Sequence, residues 1–190
     1  MIYLLHAHPH PQRSRANRAL LAAVEDLPSV QVRSLYDAYP DFAIDVERER
    51  AELAAAHTVV WQHPLYWYSV PGMLKHWFDE VLGLGWAYGA GGTALHGKRA
   101  LWVVTTGADV TAYAPEGPHA HPFPTFEPPI RQTARFCGME WLEPIVVHWA
   151  HRISEADLAA RARAYRERLT TLLGEPAAKP SEADARGGAP

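Results

Sequence analysis

Three loops hold the residues whose types and spacing can do chemistry. Ser14-Arg15-Ala16-Asn17 stands where a helix begins, shortly after His8. A hydroxyl, a guanidinium and the free N–H groups of a helix start can hold a phosphate. Ser14 also serves as a plain N-cap. Pro64-Leu65-Tyr66-Trp67-Tyr68 places three consecutive aromatics in one loop. A flat ring system can stack there, and the same side chains can simply pack beneath a loop. Thr105-Thr106-Gly107 offers hydroxyls and close-approach glycine backbone to an oxygen-rich ring edge. Tyr113 and His119 follow in the same connection, and either can donate a proton to a carbonyl oxygen being reduced. Taken singly, each also reads as an ordinary surface-loop residue.

Other chemistries are poorly supported. His6, His8 and His10 alternate, but Pro9 breaks the strand between the last two and no Cys or carboxylate lies near. No metal site is expected there, nor at His119 and His121. Neither G-x-G-x-x-G nor G-x-x-x-x-G-K-[ST] occurs, which disfavours the usual dinucleotide fold and a nucleotide triphosphatase. Lys and Arg number 18 against 21 Asp and Glu, a formal charge of −3, so no nucleic-acid partner is expected. The single cysteine, Cys137, leaves no internal disulfide and suits a reducing compartment. No apolar run reaches a membrane span, and the first residues lack the basic region of a secretory leader. A cytoplasmic location is therefore expected. Arg161, Arg163, Arg166 and Arg168 read as the solvated face of a helix.

The elements that must position these loops are legible from periodicity. Apolar runs at 2–5, 58–62, 100–104 and 145–148 read as buried strands, and the alternating 30–35 as a strand nearer an edge. Helices are expected over 14–27, 46–56, from Pro71 past Val81, 128–136 and 154–173. Their starts carry Ser14, Asp45 and Ser154 as caps, and Gly138 reads as the glycine just past a helix end. Residues 36–44 read as loop, and 174–190 as a disordered tail after one domain over 1–173. Five βα units predict a doubly wound α/β fold, a parallel sheet in the order 2-1-3-4-5 with helices on both faces. Ligands in that architecture lie beyond the carboxyl ends of the strands, where strands one and three part. The three loops fall there.

Taken together, these segments resemble the flavodoxin-like NAD(P)H:quinone oxidoreductases, the DT-diaphorase family. The likeness is closer to its bacterial branch, the ancillary proteins of glutathione-gated potassium efflux systems. It is carried by Ala7-His8-Pro9, Ser14 to Asn17, Ser34-Leu35-Tyr36, Tyr39-Pro40-Asp41-Phe42 and the run Trp61 to Pro71. It continues through Gly85-Trp86-Ala87-Tyr88-Gly89, Gly91 to Lys98 and Thr105-Thr106-Gly107. The resemblance implies a bound flavin, FMN rather than FAD, since little chain follows the fifth unit to hold an adenosine. It implies that His8, Ser14, Arg15, Ala16 and Asn17 lie at the flavin phosphate side. Pro64, Leu65, Tyr66, Trp67 and Tyr68 would lie beside the ring, and Thr105, Thr106, Gly107 and Ala108 at its pyrimidine edge. Tyr113 and His119 match the catalytic pair, and Tyr88 with Trp67 the substrate pocket. The implied reaction is hydride transfer from NAD(P)H through FMN to a quinone or other small electrophile, by ping-pong kinetics. A homodimer with the site at its interface is implied, and a partnership with the cytoplasmic domain of a potassium efflux transporter. Two other classes share the fold: a flavodoxin-type electron carrier, and a transporter's regulatory subunit with a sensory flavin site.

Overall fold

The computed structural model describes residues 1–175. Its elements are β1 (Ile2–His6), α1 (Arg15–Ala22), β2 (Val30–Ser34), α2 (Leu35–Ala38), α3 (Val46–Ala55), β3 (Thr58–Pro64) and α4 (Gly72–Val81). They continue as β4 (Arg99–Thr105), α5 (Pro128–Phe136), β5 (Glu140–Trp141), β6 (Ile145–Val147) and α6 (Glu155–Gly174). Every strand pairing is parallel, and the order is β2-β1-β3-β4-β5, with β6 also on β4. The expected order 2-1-3-4-5 is the order observed.

The sheet is covered on both faces because its strands are apolar on both. Tyr3, Leu5, Val59, Trp61, Ala100, Trp102 and Val104 point to one side, where α3, α4 and α5 pack through Leu53, Trp77 and Ile130. Ile2, Leu4, Val60, Leu101 and Val103 point to the other, against Leu20 of α1 and Tyr165, Leu169 and Leu172 of α6. A period of two along each strand makes this division.

The structure departs from the sequence reading at several boundaries. Helix α1 stops at Ala22, not at 27; Val24 N–H turns back to Leu21 O at 3.0 Å, a tightened turn ahead of Pro28. The expected loop at 36–44 begins inside the one-turn α2. Pro71 is the N-cap residue of α4 and Gly72 its first helical residue. Strand β3 runs two residues beyond the expected end, to Pro64, past the end of β1 at His6, so the missing proline N–H leaves no gap toward β1. The single fifth strand is two pieces. Arg99 pairs with Glu140, whereas Val103 pairs with Ile145, so one residue is inserted around Pro144 and the edge strand bulges. Helix α6 extends one residue past the expected end, and the Glu175 carboxylate receives Arg99 at 2.5 Å. The remainder of the expected tail lies outside the described residues. Gly138 follows α5 at φ +71, where its missing side chain spares a collision with His96.

Candidate functional site

The loops after β1, β3 and β4 meet at the carboxyl edge of the sheet. Ser14 caps α1, its hydroxyl accepting the Asn17 N–H at 3.3 Å and the Asn17 amide at 3.1 Å. The same Asn17 amide donates to Thr105 Oγ1 at 2.9 Å, which ties the first loop to the third. Gln62 holds the Asn17 carbonyl at 3.0 Å and is itself held by the Tyr165 hydroxyl at 3.2 Å. Leu65 N–H donates to Thr105 O at 2.8 Å, joining the second loop to the third. The His8 ring lies edge-on to Tyr66, with centroids 6.2 Å apart. Folding thus links Ser14, Asn17, Leu65 and Thr105 directly and sets His8 beside Tyr66.

Histidines below and beside this edge are held in defined proton forms. His63 is fully buried; its Nδ1 faces Pro64 O at 2.8 Å and its Nε2 accepts the Trp102 indole N–H at 2.7 Å. Burial lowers its pKa to about 4, and the same cause takes His6 to about 4. Both are neutral at pH 7. His8 Nδ1 accepts the His10 N–H at 3.0 Å, so its proton sits on Nε2. Burial lowers its pKa, and His10 and His151 add to this.

The aromatic loop is a two-residue turn. Tyr66 and Ser69 exchange both backbone hydrogen bonds, at 3.1 and 3.0 Å, around Trp67 and Tyr68. Those two stand at φ +48 and +61, left-handed conformations that side-chain-bearing residues rarely adopt. The turn leaves Trp67 93% exposed. Tyr68 stacks on Phe126 and its hydroxyl lies 3.3 Å from His119 Nδ1. The Tyr113 and His119 rings stack at 4.5 Å, so the predicted pair is one unit. Burial raises the Tyr113 phenol.

Tyr88 stands apart. It packs against Phe136, centroids 5.0 Å apart, in a cleft of about 400 Å³ between α4 and α5 with Ser69, Lys75, Phe78 and Ile130. Within one chain it lies away from Trp67; the resemblance implies that it closes the pocket of the other subunit. Residues that the sequence reading missed complete the edge: His148, which contacts Thr106, and His151, which lies against Gly107. A signal for His148 existed, since β1, β3 and the fifth strand all run into a histidine (His6, His63, His148).

These residues fit a flavin mononucleotide. The N–H groups of Arg15 and Ala16 at the start of α1 have no protein acceptor among the described residues, as an anion site requires. Beside them a cleft of about 380 Å³ is lined by Arg13, Arg15 and Arg18. Asn17 Oδ1 is buried without a partner, and the amides of Gly107 and Ala108 are likewise free among the described residues. A polyol phosphate carrying a polar-edged ring satisfies all three. Among the described residues no group of three His, Cys, Asp or Glu side chains gathers as a metal site would need.

A five-unit doubly wound sheet with an anion-ready helix start, an aromatic turn and a free-amide turn at one edge defines a flavodoxin-like protein. The chain belongs to the flavodoxin-like fold family, whose model matches residues 1–169. It is 48% identical over 172 residues to the glutathione-regulated potassium-efflux system ancillary protein KefF of Salmonella schwarzengrund (strain CVM19633), covering 90% of this chain and 96% of that one. General stress protein 14 of Treponema denticola, solved in complex with FMN, superposes with a TM-score of 0.84 at 32% identity, covering 90% and 98% of the two chains. An NADPH-quinone reductase from P.pentosaceus superposes with a TM-score of 0.80 at 26% identity, covering 88% and 96%.

Proposed function

We propose that this protein is an FMN-dependent NAD(P)H:quinone oxidoreductase that also serves as the ancillary partner of a potassium efflux transporter. The observation that carries the reading is the convergence of three features on one sheet edge: free amides at Arg15–Ala16, free amides at Gly107–Ala108, and the Trp67–Tyr68 turn between them. A bound flavin would supply hydride transfer between NAD(P)H and a quinone. The chain's own residues bind and orient. His8 Nε2–H and the start of α1 hold the phosphate. Asn17 and Thr105 hold the polyol. The Gly107 and Ala108 amides stabilise negative charge at the ring's pyrimidine edge. His119 and Tyr113 donate toward the developing quinol oxygen, and Tyr68 orients His119 Nδ1.

The reading includes a homodimer. Phe136 is exposed beside Tyr88 at the cleft between α4 and α5, as is Leu84, an apolar surface that a second copy would cover. Tyr88 would then serve the partner's pocket. The efflux partnership is supported by likeness to the potassium-efflux ancillary protein over nearly its whole length. No described helix is long and apolar enough to cross a membrane, and a cytoplasmic site beside the transporter is part of the proposal.

An absorbance spectrum of the purified protein, followed anaerobically by NADPH and then a quinone, tests the enzyme. Visible flavin bands that bleach with NADPH and return with quinone are expected. A protein that takes up neither FMN nor FAD overturns the reading.

A further inference from the structure

We propose that His148 is a positioning residue for the flavin's pyrimidine edge: its imidazole N–H holds the Thr106 hydroxyl and so sets the 106–108 turn. The proposal rests on the flavin reading above. His148 directly follows β6, and its place is set by the sheet. Thr105 is in register with Val147, and Thr106 N–H donates to Val147 O at 3.0 Å. His148 Nδ1 then lies 2.9 Å from Thr106 Oγ1.

The proton in that contact can be assigned by counting. Thr106 has one hydroxyl hydrogen, and it goes to Ala108 O at 2.7 Å. The oxygen must therefore accept from His148, which fixes the Nδ1–H form of the ring. Burial lowers the His148 pKa, with Arg161 of α6 adding and Asp109 opposing, so the ring is neutral near pH 7. Its faces are held as well. The Tyr113 ring stands 5.5 Å away and the Phe123 ring 5.3 Å, edge-on. The group that supports the turn thus also packs beneath the Tyr113–His119 pair.

The result is a run of donors, N–H to O–H to O=C, that closes the turn on its inner side. Trp149 N–H adds a second hydrogen bond to Ala108 O at 2.9 Å. With the inner side closed, the Gly107 and Ala108 amides are left for a ligand. Without His148 the Thr106 hydroxyl would keep its hydrogen bond to Ala108 O but lose the donor that holds it from the other side.

The test uses the full chain. Nitrogen-15 spectra of the flavin-free protein should show His148 with its proton on Nδ1; a proton on Nε2 overturns the proposal. FMN affinity by fluorescence titration and the flavin midpoint potential are then compared. His148→Phe should weaken FMN by about five- to tenfold, the worth of one good hydrogen bond, and shift the potential. His148→Asn, which keeps an N–H near Nδ1, should stay within about twofold of the parent. Adding His148→Phe to Thr106→Val should cost nothing further, because both remove the same link. Parental affinity and potential in His148→Phe overturn the proposal. If that variant fails to fold, Thr106→Val decides: at constant shape it removes the hydroxyl that accepts from His148 and donates to Ala108 O, and unchanged affinity overturns the proposal. A parent chain that takes up no flavin overturns the flavin reading and this role with it, whereas the nitrogen-15 result reads the His148–Thr106 contact independently.

Discussion

At the residue scale, buried neutral histidines make the fold sensitive to acid. His6 and His63 have folded pKa values near 4 against an ordinary 6.5, because burial penalises the charged ring. The unfolded chain therefore binds protons first as pH falls. Stability is full above pH 6.5, is lost as pH drops toward 4, and falls no further below that. For His63 the loss is about 3 kcal/mol at roughly 1.4 kcal/mol per unit. Urea midpoints should drop between pH 7.5 and 4.5, and His63→Gln should show the shallower drop. The donor pair makes a separate prediction. His119→Ala should lower quinone turnover by about 10²-fold, the lower end for a positioned proton donor, while flavin stays bound. Stopped-flow oxidation of the reduced enzyme measures it, and unchanged turnover would remove His119 from the reaction.

At the element scale, one carboxylate ties four elements together. Glu49 of α3 is fully buried and accepts from Tyr3 of β1 at 2.7 Å, Tyr39 after α2 at 2.6 Å and Trp77 of α4 at 2.8 Å. Arg33 of β2 pairs with it at 3.3 Å. Every acceptor direction is used, so the buried charge is compensated. Glu49→Gln removes the nearer counter-charge of Arg33 and leaves it only Glu52 at 3.9 Å, and a loss of about 3 kcal/mol is expected from urea denaturation. Sequence reading finds a charged helix at 46–56 but not which acid turns inward, since Glu47 is exposed and Glu49 buried. The loop carrying Tyr113 and His119 has its own constraint. A Cβ at Gly117 would meet the Ala112 and Thr111 carbonyl oxygens at 2.4 and 2.6 Å, backbone atoms that cannot step aside cheaply. Ala112 O also receives the His119 N–H at 3.1 Å. Gly117→Ala should displace His119 and reproduce much of the turnover loss of His119→Ala while flavin stays bound.

At the scale of the whole molecule, the proposed dimer makes its own prediction. Trp67 stands almost free in solvent, and Tyr88 and Phe136 line a separate cleft between α4 and α5. A second copy covers that cleft in the proposed dimer. Phe136→Glu, which puts a charge at that surface, should convert the dimer to monomer in sedimentation velocity and lower quinone turnover with it. A parent chain that sediments as a monomer at micromolar concentration would remove the dimer.

What the sequence determined by itself is what local period and local chemistry encode. Apolar strands alternating with amphipathic helices specify a parallel doubly wound sheet, and that topology places the loops at 8–17, 64–68 and 105–108 on one edge. Helix caps at Ser14, Asp45 and Ser154 were legible because each acts within three residues of itself. What only tertiary structure decided lies between distant residues. The contact of Thr106 with His148 spans 42 positions, and that of Tyr3 with Glu49 spans 46. The bulge at Pro144 emerges only when the fifth strand is laid against β4. Periodicity says which face of an element is apolar. Which polar group meets which buried partner depends on sheet register and helix packing, and these exist only once the chain has folded.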